Sequence, residues 1–222
     1  KKQNSVNNSV NIILFGPPGA GKGTQAQFIV KKHNYFQLST GNILREEVKL
    51  KTSLGAEIET LISNGKFVSD KTINSLLRKS ITNLKFRDRI IFDGYPRNVE
   101  QAKNLDIILG EFDQTIGHII FLNVSKNIIE KRIMGRVTCE KCQITLNEFF
   151  NQDQIELHPC GKDFLKKRKD DNFDVVVARY DTYMSTTKPV LDFYSKNENF
   201  TEIDGAAEIE QITNKINDVL NV

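Results

Sequence analysis

A chain of 222 residues, 39% apolar and 27% charged, is long and hydrophobic enough to bury a core, which excludes a disordered tail or linker. Lys and Arg outnumber Asp and Glu by only 31 to 28, and no apolar run approaches bilayer-spanning length, so neither a nucleic-acid nor a membrane partner is expected. The cysteines, Cys139, Cys142 and Cys160, all fall in one stretch, which fits an intracellular metal site better than a disulfide framework. The opening KKQNSVNNSVN is polar, acid-free and lacks an initiator Met. A cytoplasmic protein is expected, with a mitochondrial one left open by the chance of a trimmed leader.

In chain order, the apolar run at 10–15 breaks into GPPGAGKGT and then a helix-forming segment. Gly16, Gly19 and Gly21 remove side chains so that backbone N–H groups can converge on phosphate oxygens, and Lys22 adds a mobile positive charge. The spacing is that of a phosphate-binding loop, with Gly23 where Ser or Thr is usual and Thr24 one place later. Further strands are predicted at 35–38, 89–93, 119–124 and 200–203. Helices with apolar residues three and four apart are predicted at 25–33, 71–82, 99–109 and 126–134, with N-caps at Asp70, Asn98 and Ser125. The last helix, 207–222, should bury Ile209, Ile212, Ile216 and Val219. This alternation implies an α/β fold: a parallel five-stranded sheet with helices on both faces and its ligands at the carboxyl ends of the strands. Two inserts interrupt it. Residues 39–68 contain STGNILREEV and a short helix with Ile58, Leu61 and Ile62 on one side; residues 135–171 contain the cysteines. The core domain is accordingly 10–38, 69–134 and 172–222, with both inserts suited to close over the sheet edge.

The segments GPPGAGKGTQ, STGNILR, GKFVSD, FDGYPRNVEQA, RIMGR and RKDD, in this order, resemble those of the adenylate kinases within the nucleoside monophosphate kinases. The resemblance implies Mg²⁺-dependent, reversible transfer of the γ-phosphoryl group of ATP to AMP, giving two ADP, by a monomer with 39–68 as AMP-binding insert and 135–171 as lid. A GTP:AMP phosphotransferase is the alternative within the family, and a P-loop ATPase or switch a more distant one. Moving a phosphoryl group between two anions needs alignment and convergent positive charge more than covalent chemistry. The resemblance places Lys22, Arg97, Arg132, Arg136, Arg168 and Arg179 there, with Asp170 and Asp171 orienting arginines. It gives Asp93 the water shell of Mg²⁺. Donor contacts are expected from Gly19, Ala20, Gly21, Lys22, Gly23, Thr24, Arg132, Arg136, Thr145, Leu146 and Ala207. Leu146 stands where a Tyr near the donor base is usual. Acceptor contacts are expected from Thr40, Arg45, Lys66, Phe67, Val68, Gly94, Tyr95, Arg97, Gln101, Arg168 and Arg179. Asn42 replaces the usual Asp of STGD beside the Mg²⁺ waters, or else serves only to start a helix.

The runs C139-E-K-C142 and C160-G-K-D163 can form two knuckles holding a tetrahedral zinc through Cys139, Cys142, Cys160 and Asp163, with His158 as the rival fourth ligand. This resembles the long zinc-bearing lid of some adenylate kinases.

Overall fold

The computed structural model describes residues 10–221 apart from 65–67, 83, 143 and 168–172, and of residues 62, 63, 84, 175, 176 and 179 only the backbone. Strand β1 (Asn11–Phe15) is buried along its whole length. It lies in parallel between β3 (Ile90–Asp93) and β4 (Ile116–Asn123). The edges are β2 (Phe36–Ser39) and β8 (Phe200–Asp204), giving the order β2-β3-β1-β4-β8. Its period of two divides the core. Ile12 and Leu14 pack on one face with Ala26 and Ile29 of α1 (Lys22–His33) and Ile212, Ile216 and Leu220 of α10 (Ile209–Leu220); Ile13 and Phe15 pack on the other. Asn11 is fully buried yet satisfied: its Oδ1 accepts from the Ile90 backbone N–H at 3.0 Å, and its Nδ2 donates to Gln114 Oε1 and the Thr115 carbonyl, each at 3.1 Å. Burial without those partners would cost about 1–3 kcal/mol per group.

Several helix details differ from expectation. Ser69, not Asp70, caps α4 (Asp70–Ile81) by accepting from the Thr72 N–H, which frees the Asp70 carboxylate to accept from Gln101 Nε2 at 2.6 Å. Asn98 caps α5 (Val99–Gly110) as expected, whereas Ser125 precedes α6 (Lys126–Met134) without a side-chain cap bond. In α10 the inward ridge is Ile212, Ile216 and Leu220, while Ile209 in the first turn is exposed. Two helices absent from the sequence reading follow the second insert, α8 (Phe173–Thr186) and α9 (Lys188–Tyr194), the latter with proline in its first turn.

The first insert holds two helices, α2 (Thr40–Lys49) and α3 (Ser53–Ser63). Ile58 is buried; Leu61 is half-buried, and the side chain of residue 62 lies outside the described ones. At the α2–α3 turn the Glu47 carboxylate accepts from the Thr52 hydroxyl at 2.7 Å and lies 3.2 Å from Lys79 Nζ of α4, tying insert to core. The Thr52 hydrogen bond, then Lys79, hold this carboxyl below its ordinary 4.5 against the opposing effect of burial. Since the folded-state pKa is the lower one, the stabilisation is complete above about pH 4.5 and is lost as pH falls through the folded value. Glu47→Gln should therefore melt below the parent at neutral pH, with the gap closing below about pH 4; a gap unchanged by pH would contradict this.

The second insert forms an antiparallel sheet, β5 (Arg136–Cys139) between β6 (Thr145–Asn147) and β7 (Leu165–Lys166), with α7 (Gln152–Glu156) beside it.

Candidate functional site

The loop after β1 turns on Gly19 and Gly21, whose φ angles of 84° and 94° favour glycine. Gly21 is the N-cap of α1, so the first helical turn presents N–H groups at Lys22 to Thr24, and no acidic residue occupies that turn. Lys22 Nζ donates to the carbonyls of Gly16 at 2.6 Å and Pro17 at 3.2 Å. Desolvation lowers its proton affinity; the Asp93 carboxylate opposes this and the Arg97 guanidinium adds to it. Lys22 of the loop thus lies within reach of the charges of both Asp93 and Arg97 at the β3 end.

A cleft of about 830 Å³ runs from Gly16, Pro18 and Lys22 to Thr40, Val68, Gly94, Arg97 and Gln101, with α8 contributing Thr182 and Tyr183. Arg97 is held at three points: Nε donates to the Gly94 carbonyl at 2.9 Å, an Nη to Thr40 Oγ1 at 3.3 Å, and its backbone N–H to Gln101 Oε1 at 2.7 Å. The Asp70–Gln101 bond anchors that last contact. Gly94, with φ of 73°, makes the turn. Tyr95 is buried behind the cleft, its hydroxyl donating to Asn74 Oδ1 at 2.9 Å, so its ring supports this wall and does not line it.

Arg45 and Asn42 lie together on α2. Asn42 Oδ1 accepts from an Arg45 Nη, and the Asn42 N–H donates to Ser39 Oγ, making Ser39 the cap of α2. The capping explanation for Asn42 therefore passes to Ser39, and the Asn42 amide orients Arg45. Arg132 spans the glycine loop and the β8 end, donating to Ala20 O at 3.3 Å and Gly205 O at 2.6 Å. Ala207 is partly buried against the core beside it. Arg136 opens β5 opposite Asn147. Thr145 is exposed on β6, but the next residue, Leu146, points the other way. It is buried within the second insert, opposite Val137, so the strand's alternation turns it away from the face that carries Thr145. Lys66, Phe67, Arg168, Asp170 and Asp171 lie outside the described residues, as does the Arg179 side chain.

In the second insert, the sulfurs of Cys139, Cys142 and Cys160 and a ring nitrogen of His158 all lie within 4.8 Å of one another. Cys142 Sγ is 3.7 Å from His158 Nε2. Tetrahedral zinc with these donor types has ligand–ligand edges of about 3.3–3.8 Å, so the set fits zinc after a small contraction. Burial would raise the Cys139 thiol, but hydrogen bonds from the Cys142 backbone, His158 and the Lys141 backbone bring it down to about 6, favouring the ligating thiolate. Asp163, expected as the fourth ligand, is exposed on a one-turn helix over Lys162–Phe164 and outside this group. The reason is the turn at 158–161, closed by Gly161 N–H to His158 O at 2.8 Å: it brings His158 and Cys160 to one side and directs the following residues outward.

Two contacts at the site had no counterpart in the sequence reading. Gln37 Nε2 donates to Asp93 Oδ2 at 2.9 Å, and Asp70 supports Gln101. Neither belongs to a local motif; the register of β2 on β3, which sets Ser39 opposite Asp93, is what carries Gln37 within reach.

The chain matches the family model described as adenylate kinase over residues 14–199. It is 78% identical over 213 residues to the adenylate kinase of Pelagibacter ubique (strain HTCC1062), an alignment covering 96% of this chain and 100% of that protein. It is 42% identical over 212 residues to that of Fusobacterium nucleatum, covering 96% and 99%, and 38% identical over 213 residues to that of Novosphingobium aromaticivorans, covering 95% and 99%. Among the described residues, no helix is long and apolar enough to cross a membrane.

Proposed function

This chain belongs to the adenylate kinase family, and from that membership we propose that its cleft between Lys22 and Arg97 is where the γ-phosphoryl group of ATP passes to AMP. It is a nucleoside monophosphate kinase whose reaction, reversible and Mg²⁺-dependent, yields two ADP. The observation that carries the site is the single cleft joining the phosphate loop to a thrice-held arginine.

In this reading, N–H groups of Gly19 to Thr24 and the Lys22 ammonium hold the donor phosphates, while Arg132 and Arg136 add charge from the donor side. Arg45 and Arg97 grip the acceptor phosphate, and Thr40, Lys66, Phe67, Val68, Gly94 and Gln101 shape the AMP pocket. Arg168 and Arg179 join the transferring group through the resemblance alone. The Arg97 charge lies close enough to disfavour the Lys22 charge, a cost that an anion between them would remove. An acceptor phosphate oxygen attacks the γ-phosphorus as the bond to the β–γ bridging oxygen breaks, so ADP leaves and a second ADP forms; these residues align the two and stabilise the charge. Mg²⁺, when bound with the nucleotide, would offset the charge on the donor phosphates. The Asp93 carboxylate, at the strand end facing Lys22, suits its water shell.

The finer assignments follow the same likeness: ATP as donor in preference to GTP, a monomer, core segments 10–38, 69–134 and 172–222, an AMP-binding insert at 39–68 and a lid at 135–171. The relatives are bacterial, which supports a cytoplasmic setting. In the lid, zinc would be held by Cys139, Cys142, Cys160 and His158; bound there, it cross-links the β5–β6 turn to the 158–161 turn.

A coupled assay with ATP or GTP against AMP, CMP and UMP tests the reading. AMP with ATP should be turned over far faster than the other pairs. Equal turnover of UMP and AMP at saturation would overturn the acceptor assignment, and equal rates with GTP the donor assignment.

A further inference from the structure

Beyond the residues assigned above, the edge strand carries a side chain aimed at the reaction centre. Gln37 sits two residues before Ser39, which pairs in register with Asp93, so Gln37 and Asp93 share a face of the sheet as diagonal neighbours within reach of a long side chain. Its Nε2 donates to Asp93 Oδ2 at 2.9 Å. Its Oε1 accepts from Gln27 Nε2 of α1 at 2.8 Å. The amide has one workable orientation, because the reverse would set Oε1 against a carboxylate oxygen. A relay thus runs from the helix that opens with the phosphate loop, through the edge strand, to the carboxylate at the end of β3.

We propose that Gln37 is a positioning residue for Asp93: its amide pins Oδ2, Gln27 fixes that amide, and the other carboxylate oxygen is left for the water shell of the nucleotide-bound Mg²⁺. The inference rests on the Asp93 reading given above. A carboxylate on a strand end has two rotatable bonds, and an outer-shell contact through water needs one lone pair held in a fixed direction. Pinning one oxygen supplies that direction without a second negative charge, and Asn42, the neutral residue on α2, supplies none either. Holding the carboxylate is therefore worth more here than in a site with two acids.

The test uses the full chain and Mn²⁺ as probe, counted by electron paramagnetic resonance with a non-hydrolysable ATP analogue, alongside Mg²⁺ titrations of the initial rate. Gln37→Leu should weaken metal binding to the protein–nucleotide complex and raise the half-saturating Mg²⁺ by about 10-fold, in the range outer-shell partners command. Gln27→Ala should move both in the same direction by less. Metal-free AMP affinity, KM for AMP and Tm should stay near the parent, which a merely structural role would not leave untouched. Asp93→Ala separates the two levels of the argument. If it shifts metal binding strongly while Gln37→Leu leaves it within twofold, the positioning role is wrong. If Asp93→Ala itself leaves metal binding unchanged, the Asp93 reading fails first. A Gln37→Leu protein with lowered Tm and weakened AMP binding, in proportion to its metal defect, would also overturn the proposal.

Discussion

Lys22→Met is expected to lower kcat by about 10³-fold or more, with smaller changes in nucleotide affinity. The Lys22 ammonium sits in a desolvated position, donating to two loop carbonyls, beside Asp93 and opposite Arg97. At an effective dielectric constant near 20, a unit charge about 4 Å from developing phosphoryl charge is worth roughly 4 kcal/mol, which is about three decades in rate. In the proposed reading both nucleotides keep other contacts, backbone N–H groups for the donor and Arg45 and Arg97 for the acceptor, so the loss should fall on the transition state. Stability should move the other way. Burial of this cation costs more than the Asp93 carboxylate returns, as its lowered proton affinity shows, so the Met variant should melt at or above the parent temperature. Steady-state kinetics and a thermal melt on one preparation check both signs. A kcat within about threefold of the parent would remove Lys22 from the catalytic assignment, and a fall in both kcat and Tm would mean that misfolding explains the loss.

Removing zinc should have the second large effect. The lid has a small interior in which Val137, Cys139 and Leu146 are buried, while Ile144, Phe149, Phe150 and Leu157 stay exposed, so apolar packing alone leaves it weakly held. Structural zinc sites can contribute on the order of 10 kcal/mol, and a strong chelator should therefore lower the melting temperature of the lid and increase its proteolysis. The ligand set makes the prediction specific. His158→Ala should cost zinc affinity by tenfold or more, whereas Asp163→Ala should leave it within about twofold, because Asp163 is exposed and outside the cluster. Less than about half an equivalent of metal in protein purified without chelator would contradict the site. The reverse order of the two variants would return the fourth place to Asp163.

What could be read from the chain and what could not divide along a physical line. The phosphate loop, β1, β3, β4 and β8, α1, α4, α5 and α6, and a metal-binding knuckle at Cys139 and Cys142 all depend on features within a few residues of one another: glycine at turns, period two or 3.6 in apolar residues, and Cys-x-x-Cys spacing. Those features act through local backbone sterics and one-sided burial, which do not need the rest of the molecule to be specified. Polar partnerships obey no such local rule. With Ser69 capping α4, the Asp70 carboxylate met Gln101 of α5, 31 residues away in sequence. His158 joined the cysteines in place of Asp163 because one hydrogen-bonded turn faces inward and the following helical turn faces out. Leu146 turned inward because β6 pairs with β5 in a register that sets it opposite Val137. Gln37 reached Asp93 through strand register across 56 positions. For Asp70 and Gln37, a side chain with several possible partners took the one that packing had brought within about 3 Å, since a donor or acceptor left unpaired costs more than most local preferences are worth.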